Sequence, residues 1–182
     1  MQGTTKTILL VLLVCGVGFA ADPPGVWLDV PFVKQEADGC GASSIAMVMQ
    51  YWQQQGQSGS PGADAVQIQR VLHSHGARGI YASDMERYFQ QNGYVAFTFP
   101  GEWADLKQHL EKGRPLIIAL KPGSRQPLHY VVVAGLDEEH QLVLLNDPAQ
   151  RKLLKEDRSR FEQEWQAAGR WTLLAVPRTG SH

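Results

Sequence analysis

Three apolar runs stand close together in the last third of the chain: Leu116–Leu120, Leu128–Leu136 and Leu142–Leu145. They are short and rich in Val, Ile and Leu, which marks buried strands. The second and third flank an acidic turn, Asp137-Glu138-Glu139, and so form an antiparallel hairpin. A last strand is expected over Trp171–Val176, after a helix from about Ser159 to Ala168. The earlier part of the chain reads differently. Ile45, Met47, Val48, Tyr51 and Trp52 make one apolar face of a helix from Gly41 to about Gln54. A second helix covers Asp64 to Ser74, and the capping-box pattern Ser83-Asp84-Met85-Glu86 starts a third that runs to Gln91. Trp103, Leu106 and Leu110 mark a fourth, ended by Gly113. Tyr94–Phe99 alternates as a strand, and Val26–Val33 reads as a short edge strand whose pairing Pro31 limits. Residues 55–62 read as a flexible loop, with nothing in them to bury. Helices lead and an antiparallel sheet follows, the order of an α+β fold.

The first twenty residues stand apart. Lys6 and the free amino group precede an apolar run from Ile8 that thins toward Phe19, and Gly18-Phe19-Ala20 has small residues where signal cleavage needs them. Residues 1–20 are therefore expected to be a secretory signal, and 21–182 one domain, periplasmic or secreted. The run is short and interrupted by Gly for a membrane span, so no span is expected in the mature chain. A lipoprotein at Cys15 is disfavoured by bulky Val14 before it. About 160 residues remain, enough to bury roughly 70% of the unfolded surface. The whole chain has 17 basic and 18 acidic residues, a net charge of −1. That balance gives no footprint for nucleic acid.

Of the two cysteines, Cys15 leaves with the signal and Cys40 stays alone, so no disulfide can form within the mature chain. Cys40 lies in Asp38-Gly39-Cys40-Gly41, at the start of the first long helix. Unpaired amides and the positive end of the helix dipole favour a thiolate there, the reactive form of the side chain. His129 begins the strand Tyr130-Val131-Val132-Val133, a rigid mount for a general base. Gln35, five positions before Cys40, offers an amide that can donate to an oxyanion beside the Cys40 backbone N–H. His73 and His75 are two apart on the expected second helix and point in different directions, with no third ligand at suitable spacing. They read as solvated, and no metal or other cofactor is expected. His109 and His140 read as surface positions.

The base needs an orienting acceptor, for which Asp137, Asn146 and Asp147 compete. Asp137 sits at the turn, far from His129. Side chains alternate faces along paired strands, so Asp147 shares the His129 face only with an odd-numbered loop or one bulge. An even loop brings Asn146 there instead. Chemistry favours Asp147, because a carboxylate stabilises imidazolium better than an amide does.

Gln35…Cys40-Gly41-Ala42, Gly113-Arg114-Pro115-Leu116-Ile117-Ile118, His129-Tyr130-Val131-Val132-Val133-Ala134-Gly135 and Asn146-Asp147-Pro148 occur in that order. Together they resemble the papain-like cysteine peptidases that process double-glycine leaders of bacteriocins, over about Leu28–Pro148. The resemblance implies a papain-like fold, a helical half packed against an antiparallel sheet with the site between them. It implies Cys40 as nucleophile, His129 as base, Asp147 as orienter and Gln35 as oxyanion donor, acting on a peptide or protein. The Gln-to-Cys spacing is one residue shorter than is usual in that family. Its leader-cutting members face the cytosol on an ATP-driven transporter, whereas this chain is expected to be exported, so a leader substrate or an export partner is not implied. The same residues also suit acyl transfer to an amine, or a peptide-binding module without catalysis.

Overall fold

The computed structural model describes residues 25–57 and 63–178. The expected signal segment 1–20 and residues 58–62 of the expected loop lie outside the described residues. In chain order the elements are β1 (Gly25–Trp27), α1 (Cys40–Gln54), α2 (Ala65–Leu72), α3 (Ala82–Gln91), β2 (Tyr94–Pro100) and α4 (Trp103–Glu111). They continue with β3 (Leu116–Leu120), β4 (His129–Asp137), β5 (Leu142–Asn146), β6 (Leu154–Asp157), α5 (Arg158–Ala167) and β7 (Trp171–Pro177).

The apolar runs form the sheet as expected, and every pairing in it is antiparallel. Its order is β2-β7-β3-β4-β5-β6, with β1 paired to β4 beyond the end of β3. The last strand of the chain thus fills the middle of the sheet, between β2 and β3. Strand alternation divides the core in two. Ile117, Ala119, Tyr130 and Val132 share a cluster with Ile45, Val48, Ile68 and Met85 from the first three helices. Leu116, Ile118, Val131 and Val133 meet Leu106, Leu110, Phe161 and Trp165 of α4 and α5 on the opposite face. The α+β, papain-like architecture holds, and α4 and α5 add a second helical layer behind the sheet. Val131, Val132 and Val133 are wholly buried. At about 1.5–3 kcal/mol for each such side chain, β4 anchors both layers.

The hairpin of β4 and β5 holds the detail that matters for the site. Its turn has four residues between the paired Asp137 and Leu142, an even number. The register then slips: Gly135 pairs with Leu144, but Val133 pairs with Leu145. Ala134 is the extra residue of a bulge, and side chains beyond it change faces. The core records the change, since Val132 and Ala134 lie in the first cluster and Leu136 in the second. Gly135 belongs to the bulge for a steric reason. A Cβ there would stand 2.7 Å from the Val26 carbonyl oxygen and 2.8 Å from the Trp27 Cβ.

Several local expectations give way. The edge strand ends at Trp27 rather than Val33. Beyond it, the Asn146 amide holds the carbonyls of Val30 (3.0 Å) and Pro31 (3.3 Å), which fixes the segment as an ordered loop. The Ser83–Glu86 capping box is not made. The N-cap of α3 is Tyr81, without a side-chain bond, and Glu86 binds Thr98 and Gln90 instead. A reciprocal box forms at Glu102 and Asp105 in α4. Asp64 caps α2 through the Gln67 N–H at 2.8 Å, and the helix ends at Leu72, short of Ser74. His73 and His75 therefore lie past the helix, where their rings meet edge to face with centroids 5.2 Å apart. Among the described residues no third metal-ligating side chain joins them. His109 is half-buried rather than a surface group, packed against Phe99. Burial, then the charges of Arg114 and Lys112, lower its pKa. No helix among the described residues is long and apolar enough to cross a membrane.

Candidate active site

Cys40 is the first residue of α1, after the N-cap Gly39. No side chain caps the helix start and no acidic residue occupies its first turn. The thiol thus stands at an uncompensated positive helix end. The helix is pinned to β4 directly behind it. Ser44 Oγ donates to the Tyr130 carbonyl at 3.3 Å, and Gly41 lies between Ile80 and Tyr130. A Cβ at Gly41 would come within 3.3 Å of Ile80 and 3.5 Å of the Tyr130 ring, so glycine lets helix and strand approach at this point.

His129 opens β4, and its Nε2 lies 2.8 Å from Asp147 Oδ1. The bulge at Ala134 explains the match. Carried one residue past the last pair, Val132 with Asn146, the shifted register sets Asp147 opposite Val131, on the face of His129. Cys40 lies close enough to the ring to help raise its pKa. With Nε2 engaged, Nδ1 is the nitrogen left for sulfur. The carboxylate is itself held: Oδ1 also accepts from the Ala149 N–H at 2.9 Å, and Oδ2 from Gln150 Nε2 at 2.6 Å. The first is an Asx turn over Pro148. Gln150 is a site residue that sequence reasoning missed. Its signal was present, as a polar side chain three residues after the Asp of an Asp-Pro pair.

Asn146 points elsewhere. It is fully buried, its Oδ1 accepts the Leu153 N–H at 3.0 Å, and its amide grips the Val30–Pro31 loop. Asp137 pairs with His140 across the turn. Of the three competing acceptors, the structure brings Asp147 to the imidazole. The Gln35 backbone N–H donates to the Pro148 carbonyl at 3.0 Å, which ties its loop to the segment that carries Asp147. The Gln35 Cβ lies 3.6 Å from where a Cβ on Gly39 would stand. Its Oε1 is buried and has no partner among the described residues. Asp147 and His129 thus meet from a strand end and a strand start, and Gln35 lies on a loop tied by its backbone to the Asp147 segment. A cavity of about 480 Å³ bordered by Glu36, Gly39, Ala42, Gln50 and Gln69 lies between the loop before Cys40, α1 and α2, and none of Gln35, Cys40, His129 and Asp147 lines it.

The electrostatics follow from these contacts. Burial alone would lower the His129 pKa, but hydrogen bonds to Asp147 and Cys40, with their charges, outweigh it and raise the ring to about 9. Burial opposes the charge on Asp147. The bond and charge of His129, with Ala149 and Gln150, nevertheless hold its carboxyl below the usual range. Both shifts favour a protonated ring beside an ionised carboxylate at neutral pH.

The model of the Peptidase_C39 like family matches residues 27–173. A search of curated protein sequences finds no match. Among solved structures, the chain is similar to one described as a C39-like peptidase from Bacillus anthracis, with a TM-score of 0.68 at 20% identity, covering 86% of this chain and 99% of that one. It is similar to a double-glycine motif protease from an AMS/PCAT transporter in complex with the leader peptide, with a TM-score of 0.64 at 24% identity, covering 84% and 94%. The peptidase domain of Streptococcus ComA, a bifunctional ABC transporter of a quorum-sensing pathway, aligns with a TM-score of 0.61 at 17% identity, covering 80% and 97%. At these identities the structures speak for the fold, and the family model speaks for the family. The chain belongs to the Peptidase_C39 like family and is a cysteine peptidase.

Proposed function

We propose that this protein hydrolyses peptide bonds through a Cys40 thiolate, with His129 as acid and base, Asp147 as the orienting carboxylate and Gln35 as an oxyanion donor. The observation that carries the reading is the His129 ring, bonded through Nε2 to Asp147 at 2.8 Å, with Cys40 near enough to raise its pKa. The ring takes the thiol proton, and Asp147 stabilises the imidazolium that results. Sulfur attacks the scissile carbonyl, and the oxyanion meets the Cys40 N–H and the Gln35 amide. The ring gives its proton to the leaving amine, and a thioester remains. Water, activated by the neutral ring, releases the acid product and restores the thiol. The leader-peptide complex of the double-glycine protease supports a peptide at this site. In the same reading residues 1–20 are a cleaved signal, and 21–182 work as one domain in the periplasm or outside the cell.

Alkylation tests the activated thiol. Near neutral pH an unassisted thiol is only a few per cent ionised, so iodoacetamide should modify Cys40 about tenfold faster in the parent than in His129→Ala. Equal rates would remove the pairing. Gln35→Ala should lower kcat by about 10²–10³, the usual cost of one oxyanion donor, while alkylation, which forms no oxyanion, stays at the parental rate. Full hydrolytic activity in that variant would make Gln35 a bystander.

The pH profile tests Asp147. The ring must hold a proton to give to the leaving amine, so kcat/KM should decline above about pH 9 as that proton is lost. Asp147→Asn removes a cause that raises the ring pKa and leaves burial, which lowers it. The alkaline limb should then move to lower pH by more than about one unit. Asn146→Ala should leave the limb in place and instead lower stability by about 1–3 kcal/mol, because it orphans buried carbonyls and an amide. A fixed limb in Asp147→Asn would contradict the orienting role.

A further inference from the structure

Two loops adjoin residues of the site, one packed beside the neighbours of Cys40 and one leading into His129, and each carries an arginine and no acid of its own. On the helical side, residues 74–79 form a small hairpin closed by the Ser74–Gly79 bridge. Gly79 and Ile80 pack beside Asp38 and Gly41, the neighbours of Cys40. Arg78 occupies the left-handed position of this turn, with φ 50°. On the sheet side, the loop between β3 and β4 contains a turn closed by the Gln126 N–H on the Gly123 carbonyl at 3.2 Å. Arg125 sits in that turn, four positions before His129. No carboxylate occurs between Asp64 and Asp84, or between Glu111 and Asp137, in a chain whose charges otherwise balance. Arg78 and Arg125 are both exposed. Neither has an ion-pair partner among the described residues. Glu36 and Asp38, with Lys34 beside them, lie on the Gln35 loop before the thiol, so the surroundings are polarised rather than uniformly basic.

Each basic turn also leads to an exposed apolar or aromatic side chain at the rim. Tyr81, 49% exposed, follows Ile80, and Leu128, 45% exposed, precedes His129. The same order, arginine and then an apolar group three residues on, appears on both rims. A free inorganic anion would use only the arginines. An extended peptide uses both, with apolar contact at Tyr81 and Leu128 and its carboxylates at Arg78 and Arg125.

We propose that the site selects peptides with acidic residues close to the scissile bond, and that Arg78 and Arg125 read them. This rests on the assignment of Cys40 and His129 above. Exposed pairs are worth little singly, so two arginines acting together should give a preference of about 3- to 10-fold in kcat/KM, weakening with salt.

A peptide library of known composition, digested by the full chain and read by mass spectrometry, tests this. Acidic residues should be enriched within about four positions of the cleaved bonds. For one cleaved peptide, Glu→Gln and then Glu→Lys should lower kcat/KM stepwise, and R78E/R125E should reverse that order. Alkylation of Cys40 in the variant, at the parental rate, shows that it is folded, and Arg78→Gln and Arg125→Gln replace it if it is not. Cleavage without acidic enrichment, or an unchanged preference in the variants, overturns the proposal and leaves the peptidase reading standing. A library left wholly uncut by the parent overturns both.

Discussion

Cys40→Ala is expected to abolish peptide hydrolysis, with kcat falling by roughly 10⁴–10⁶. The residue supplies the bond-forming atom, and nothing nearby can replace it: Cys40 is the free cysteine of the described residues, and Ser43 and Ser44 are buried in α1. The fold should hardly notice. Alanine is a good helix former, the side chain is only half-buried, and a change near 1 kcal/mol moves the midpoint of a domain this size by about 2–4 °C. Peptide cleavage assays beside thermal unfolding check both statements. Undiminished hydrolysis would remove Cys40 as the nucleophile.

His129→Ala should be nearly as severe, with a loss of roughly 10³–10⁵. It deletes the proton acceptor, the proton donor to the leaving amine and the cation that Asp147 stabilises. Asp147, only 6% exposed at its side chain, would be left ionised with Ala149 and Gln150 as its remaining partners. Some stability should be lost with it. His73→Ala and His75→Ala should stay within about twofold of the parent, since their rings touch each other rather than Asp147 or Cys40. A large loss from either would reopen the metal reading. Activity measured with and without a chelator separates the cases.

The residues that carry chemistry were legible because each is bound to a strong local signal. Cys40 follows a glycine at the start of an apolar helix, and His129 begins a run of valines that must be buried. Chemistry favours Asp147 over Asn146, but strand geometry alone leaves the choice open, because it depends on the parity of the hairpin. That parity is set by Ala134, an extra residue with nothing unusual in its own side chain. The cue lay next to it, in Gly135, a glycine inside an apolar strand. The reason for that glycine is the Val26–Trp27 segment, which arrives from the far end of the sequence. β6 escaped notice because Leu154–Asp157 alternates weakly and is half-exposed. The Ser83–Glu86 motif misled because Glu86 has better partners in Thr98 and Gln90, which a local pattern cannot anticipate. His73 and His75 were placed on a helix that stops before them, where the Ser74–Gly79 bridge takes over the backbone.

The central claim is that Cys40 forms a covalent acyl-enzyme. A peptide p-nitrophenyl ester acylates quickly and leaves deacylation limiting, so the intermediate should accumulate. Acid quenching during turnover, followed by intact-protein mass spectrometry and peptide mapping, should show one added acyl group on the peptide containing Cys40. Hydroxylamine should remove it, and it should be absent from Cys40→Ala. Turnover of the ester with the acyl group on another residue, or undiminished turnover in Cys40→Ala, would contradict the account.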